Sequence, residues 1–179
     1  MTLYLGVDPG KSGALAVIEA DGRARDVVLM PVVTGDGRPE YDVPVIRDLL
    51  LAWKGEGVFV TVEKQQPMPL AHGGTIANFN RGMGRAGWEW LLVALKIPHQ
   101  LVAPRTWQAV MHAGTSGTDT KQRSIIACHR LFPDVSLTKS ARANKDLDGK
   151  AEALLLAEYG RRTALGRSEA INAKRSQTA

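Results

Sequence analysis

Leu3-Tyr4-Leu5-Gly6-Val7-Asp8-Pro9-Gly10-Lys11-Ser12-Gly13 is the stretch on which the reading of the whole chain turns. An apolar segment ends on a single carboxylate, and a tight turn then leads into a second apolar run, Ala14-Leu15-Ala16-Val17-Ile18. Side chains alternate along a strand, so Leu3, Leu5 and Val7 share one face while Tyr4, Gly6 and Asp8 share the other. Asp8 is then the last residue of its strand, at the carboxyl edge of a sheet. A second reading stands beside this one. Pro9 presets φ and Gly10 accepts a positive φ, so Asp8 is also a suitable first residue for a type II hairpin turn. Carboxylates further along the chain separate the two readings.

The composition sets bounds. At 179 residues the chain is one domain with room for a substantial core, and its 44% hydrophobic and 23% charged residues are those of an ordinary soluble globule. A net charge of +5 suits a polyanionic partner. One cysteine, Cys128, rules out an internal disulfide framework and fits a reducing cytoplasm. Its flanks read as helix, so a packed thiol is expected. Met1-Thr2 leads straight into a strand with no basic n-region. No apolar run approaches the ~20 residues that cross a bilayer. The expectation is therefore a cytoplasmic protein without a membrane partner. His72, His99, His112 and His129 are scattered and form no zinc set. Gly10-Lys11-Ser12-Gly13 lacks the spacer and leading glycine of a phosphate-binding loop.

Residues 3–8, 13–20 and 25–30 read as three strands, with Asp21-Gly22 as a hairpin signal between the last two. Residues 31–41 read as a loop. Asp42 caps a helix to Lys54, with Val43, Ile46, Leu50 and Trp53 on one stripe. Residues 57–63 form a fourth strand that again ends on a carboxylate, Glu63. The intervening helix makes this strand parallel to the first, and if the two are neighbours Asp8 and Glu63 lie side by side. Residues 64–75 read as an irregular loop, 78–87 as glycine-interrupted, and 85–96 as a helix apolar on two faces. Trp88, Leu91, Leu92 and Leu95 lie on one of those faces, and Ala86, Trp90 and Val93 on the other. A helix apolar all round is buried on both sides, the second side by a subunit contact or by another layer of the same core. Residues 98–103 form a short fifth strand, Pro104 opens a helix to Met111, and Asp119 or Thr118 caps another to Phe132. The last helix runs from Asp148 to Tyr159 and stops near Gly160, leaving residues 161–179 as a basic tail that frays.

Asp148-Gly149-Lys150-Ala151-Glu152 places two acids at i and i+4, on one side of a helix's first turn. An N-cap and a favourable charge at a helix start would account for both. Yet Asp8, Glu63, Asp148 and Glu152 are four acids at element ends in a basic protein. Clustered carboxylates repel one another unless a cation neutralises them. Hard oxygen donors select Mg²⁺ or Mn²⁺ over zinc.

With these residues in place the chain resembles the RuvC-type Holliday-junction resolvases. The likeness is carried by Gly6-Val7-Asp8-Pro9-Gly10, Thr61-Val62-Glu63 and Asp148-Gly149-Lys150-Ala151-Glu152-Ala153-Leu154. The Asp-Gly-Lys-Ala-acid spacing is similar to that of the phage-borne branch. Ala103-Pro104-Arg105-Thr106-Trp107 and Gly117-Thr118-Asp119-Thr120-Lys121 resemble the family's segment between its second acid and its terminal helix. The resemblance covers residues 2–160 and implies an RNase H-like α/β fold: a five-stranded mixed sheet, three antiparallel strands first and two parallel ones after, flanked by helices. It implies one nuclease domain over residues 1–160 and two-metal hydrolysis of DNA phosphodiesters at four-way junctions. Asp8 would bridge two Mg²⁺ or Mn²⁺ ions, with Glu63, Asp148 and Glu152 completing the shells. The same resemblance implies a homodimer, one site for each of two opposed strands, and a phage role in recombination or DNA processing.

Two departures stand out. The last acid is usually Asp and here is Glu152, and the family's usual i, i+3 pair would put an acid where Gly149 stands, leaving Asp148 or Asp146 to serve. Lys121 is the cationic candidate beside the scissile phosphate, although a lysine at a helix start is also a solvated residue. Arg81, Arg85, Lys139, Arg142 and Lys145 are candidate DNA contacts or a solvated basic surface. Met68 and Leu70 are either wedges for the junction centre or loop anchors. Rival functions are an actin-like ATPase or sugar kinase, which opens with a similar strand and hairpin, and a catalytically silent nucleic-acid-binding module on the same fold. A related nuclease with another branched or RNA-containing substrate is the third.

Overall fold

The computed structural model describes the backbone of residues 2–35, 37–140, 142–143 and 145–177, with side chains for all of these except 70–73 and 167–177. In chain order the elements are β1 (Leu3–Val7), β2 (Ala14–Ile18), β3 (Ala24–Leu29), β4 (Val32–Thr34), β5 (Pro39–Tyr41), α1 (Val43–Gly55), β6 (Val58–Glu63), α2 (Leu70–Ala94), β7 (His99–Val102), α3 (Pro104–Met111), α4 (Thr120–Leu131) and α5 (Asp148–Gln177).

Five strands form one mixed sheet in the order β3-β2-β1-β6-β7. β1, β2 and β3 pair antiparallel through short turns, while β6 and β7 add in parallel after helical crossovers. The sheet is covered on both faces, as a sheet with parallel strands requires. One core joins Leu3, Leu5 and Val7 to Ile46, Leu50 and Trp53 of α1 and to Trp88 and Leu92 of α2. The other joins Tyr4, Ala14, Ala16 and Ile18 to α3, α4 and α5, with Trp107, Cys128, Leu154 and Leu155 fully buried. The alternation read from residues 3–8 is thus the alternation between two cores.

Asp42 accepts from Val45 N and starts α1, while Asp119 accepts from Gln122 N and starts α4. Each side chain satisfies one of the N–H groups left orphaned at a helix start.

Four sequence expectations need correction. Residues 31–41 hold the small hairpin β4–β5, not only a loop. Residues 70–94 form a single kinked helix, broken at Gly74, where φ is 62°. Tertiary packing overrides the weak helix propensity of its glycines. α5 does not stop near Gly160. That residue is buried against Thr61, where a side chain would strike the threonine hydroxyl, so it serves close packing and not termination. Arg161 and Arg162, expected to fray, both bond the buried Glu158. Finally, Trp90 and Val93 face neither core and are 73% and 62% exposed, so of the two covers expected for that side another layer of the same core is not the one found.

Candidate active site

The parallel register sets Val7 opposite Val62, so Asp8 and Glu63 follow at adjacent strand ends. Asp8 still donates its backbone N–H to Ala14 O at 3.1 Å, extending the β1–β2 pairing by one rung. The start of α5 presses onto this edge. A Cβ on Gly149 would stand 3.0 Å from Gly13 Cα and Ser12 O and 3.3 Å from Asp8 Oδ2. That approach is tighter than most side-chain contacts, so an acid at position 149 would require the turn to give by a few tenths of an ångström. Asp148 and Glu152, on either side of it, flank the approach.

Asp8, Asp148 and Glu152 line a cleft of about 510 Å³ together with Lys121, Arg81 and Gln65. Glu63 opens onto an adjoining pocket of about 270 Å³, which it shares with Gln65, Met68 and Arg81. Each acid has a protein partner. Asp8 accepts from Gly10 N at 3.3 Å, Glu63 Oε2 from Trp107 Nε1 at 2.9 Å, and Glu152 Oε1 from Ser124 Oγ at 3.2 Å. Asp148 Oδ2 pairs with Lys121 Nζ at 2.6 Å. Ser124 Oγ also lies 3.1 Å from His112 Nε2.

Burial, and then repulsion from Glu63, pushes Asp8 up to about 7. Burial, followed by the charges of Asp8, Glu63 and Asp148, pushes Glu152 up to about 8. Glu63 is raised by burial against the lowering effect of its Trp107 bond. Lys121 is raised by its bond to Asp148 and by that residue's charge. These acids resist ionising together in the protein alone, and a cation reverses that preference. Gln65 Oε1 is buried beside them without a hydrogen-bond partner among the described residues. An all-oxygen donor set with an orphaned carbonyl oxygen fits a hard divalent cation or its water shell. Among the described residues, no three His, Cys, Asp or Glu side chains stand close enough together to hold a metal ion by themselves.

The other candidates divide. Arg81 lines both the cleft and the pocket beside Glu63 and donates to Asn78 Oδ1. Asn78 in turn holds the Met68 backbone by two bonds, of 2.9 and 2.8 Å. Met68 is 41% exposed at that pocket, whereas the Leu70 side chain lies outside the described residues. Arg85 lies outside the cleft, 4.0 Å from Glu89. Lys139, Arg142 and Lys145 are exposed on the loop before α5, away from the cleft lining. Asp146 binds His129 Nε2 at 2.7 Å and bridges to Thr138, outside the carboxylate group.

Sequence reasoning missed the supporting roles of Gln65, Tyr41, Ser124 and His112. Tyr41 OH donates to Pro9 O at 2.6 Å and its ring sits under Lys11, tying the β4–β5 hairpin over the β1–β2 turn. Trp107 belongs to the Ala103–Trp107 motif, but nothing in one dimension aims its indole N–H at Glu63.

A mixed five-stranded sheet with helices on both faces and acids at the ends of neighbouring parallel strands defines the RNase H-like class of α/β fold. Within that class, the chain is similar to the structure of T. thermophilus RuvC in complex with Holliday junction substrate. The TM-score is 0.60 at 15% identity, covering 93% of this chain and 97% of that one. It is also similar to a second Thermus thermophilus RuvC structure, with a TM-score of 0.59 at 17% identity over 92% and 96% of the two chains. No protein-family model matches the chain, and no curated protein sequence matches it. No described helix is long and apolar enough to cross a membrane.

Proposed function

We propose that this protein is a metal-dependent endonuclease that cuts branched DNA, with four-way junctions as its substrate. The observation that carries this reading is the convergence of Asp8, Glu63, Asp148 and Glu152 at one sheet edge of a protein with net charge +5, where burial and mutual repulsion hold Asp8 and Glu152 near neutrality. Asp8, Glu63, Asp148 and Glu152 would hold Mg²⁺ or Mn²⁺. When bound, such ions supply Lewis-acid stabilisation of charge developing on the phosphate. Lys121, held at the cleft by Asp148, offers its ammonium to a phosphate oxygen. Arg81 lines the same cleft and would orient the backbone of that strand. Trp107 and Ser124 hold one oxygen each of Glu63 and Glu152 and so restrict how these carboxylates turn. Lys139, Arg142, Lys145 and Arg85 would contact phosphates further out, and Met68 would enter the junction centre. The Asp-Gly-Lys-Ala-acid spacing supports the phage-type branch, working in a bacterial host's cytoplasm on recombination or replication intermediates.

A homodimer is part of the same reading. Ile76, Phe79, Met83, Ala86, Trp90 and Val93 recur along α2 at alternating steps of three and four residues, the period of a coiled-coil seam. Ile76 and Phe79 are 66% and 68% exposed, so this end of the seam is uncovered by the described residues.

The deciding experiment incubates the full chain with four-way junctions, duplex, flaps and RNA–DNA hybrid in Mg²⁺, Mn²⁺ or EDTA. Junction cleavage that needs the metal and is abolished by Asp8→Asn, with binding kept, supports the reading. Asp148→Asn and Glu152→Gln should each remove most activity, and Asp146→Asn little. Binding without cleavage under every metal would make the protein a silent nucleic-acid-binding module instead, and ATP turnover without DNA would make it an actin-like enzyme.

A further inference from the structure

We propose that a second cleft, between α3 and the first turn of α4, seats a backbone phosphate of the DNA away from the one that is cut. The cleft measures about 340 Å³. Arg105, Gln108, His112, Thr120 and Arg123 line it, and no acid does. That composition is the reverse of the neighbouring carboxylate cleft. Guanidinium groups present forked donors that match the oxygens of a phosphate, and hydroxyl and amide side chains add further bonds to the same group.

Arg23, Arg25, Arg47, Arg161 and Arg162 each sit on a carboxylate. Arg105 and Arg123 sit on no carboxylate, as is also true of Arg38, Arg81, Arg130 and Arg142 among the described residues. The nearest acid in sequence, Asp119, is engaged in capping α4 through Gln122 N. Among the described residues, no carboxylate pairs with the positive charge in the cleft.

The placement relative to the carboxylates follows from helix geometry. Lys121 and Ser124 share one face of α4 and reach Asp148 and Glu152. Thr120 and Arg123 each stand one residue earlier, about 100° round the helix, and face α3. His112 lines the phosphate cleft and contacts Ser124, whose hydroxyl binds Glu152. In the proposed arrangement a strand at the carboxylates would place a further phosphate between Arg123 and Arg105. Phosphate contacts of this kind set the register of a nucleic acid without reading its sequence.

The inference rests on the reading of this protein as a DNA-binding nuclease. It is tested by measuring four-way-junction affinity over a potassium chloride series for full-length Asp8→Asn protein, alone and combined with Arg105→Gln, Arg123→Gln, both, or Arg105→Lys with Arg123→Lys. The double glutamine variant should bind about tenfold more weakly and flatten the slope of log affinity against log salt by about one for each phosphate no longer neutralised. The double lysine variant should recover most of the salt slope and only part of the affinity. If the double glutamine variant matches its parent in affinity and slope while the wild type cuts junctions, this site falls and the nuclease reading stands. If the wild type binds DNA but cuts none with either metal, the nuclease reading falls, and the same binding comparison still upholds or overturns the cleft. A wild type that binds no DNA overturns both.

Discussion

Ser124 is fully buried, with its hydroxyl between His112 and Glu152, and Trp107 is fully buried with its indole N–H on Glu63. A carboxylate swings freely about its terminal torsion, and one donor fixed by packing restricts which oxygen faces the cleft. Outer partners of this kind typically matter 10–100-fold for metal affinity or activity. Ser124→Ala and Trp107→Phe should therefore each weaken Mn²⁺ binding, measured by calorimetry, by about 10–100-fold while junction affinity in EDTA is kept. The raised acids also predict how stability follows pH. Unfolded, Asp8 and Glu152 lose their protons near 3.8 and 4.5; folded, they keep them to about 7 and about 8. The folded state then binds more protons across that window, so the stability of the metal-free protein falls as pH rises through it. Melting in EDTA should show a lower Tm at pH 8 than at pH 5.5. Combining Asp8→Asn with Glu152→Gln should flatten that dependence, and millimolar Mg²⁺ should offset it most at the higher pH.

Among the elements, α2 carries the clearest unmet demand. Its inner face, through Trp88 and Leu92, completes one core, and its outer face presents Phe79, Trp90 and Val93 to solvent. Large exposed apolar patches of this sort mark interaction surfaces. Trp90→Glu would set a charge at the middle of the seam without touching either core. Ultracentrifugation should show the wild type as a dimer and Trp90→Glu shifted to the 19.4 kDa monomer, with an unchanged circular dichroism spectrum. A wild type that sediments only as monomer at micromolar concentration, while still cutting junctions symmetrically, would remove this role from α2.

For the molecule as a whole, net charge +5 coexists with a cleft walled by acids, so attraction to DNA has to come from the surface around the site. Counterion release makes such binding steeply dependent on salt. Arg161 and Arg162 belong to the fold through Glu158, so a truncation that probes the terminal segment has to begin later. Removing residues 167–179 deletes Arg167, Lys174 and Arg175 together with Glu169. That truncation should weaken junction binding and reduce its salt slope, measured by anisotropy, without moving the cut position. Unchanged affinity and slope would mean that the segment does not touch DNA.

The order of motifs made the sheet legible before any coordinates. Alternation over residues 3–8 separates two faces, a helix between two strands forces them parallel, and Glu63 then stands next to Asp8. Those are consequences of local periodicity and chain direction, which one dimension contains. The glycines of residues 82–87 misled, because propensity treats each as a helix breaker, whereas the helix runs through them; Gly74 does break it, at φ 62°. Gly160 misled in the same way, since its need is for closeness to Thr61 and not for a turn. The partners of the carboxylates were also hidden. Trp107 lies 44 residues from Glu63 and Ser124 lies 28 from Glu152. Pairs so distant meet only when the sheet and its helices have packed. The sequence by itself therefore determined which acids share an edge, and the tertiary structure alone decided which donors aim them, which face of α2 stays bare, and that two arginines line a cleft without an acid.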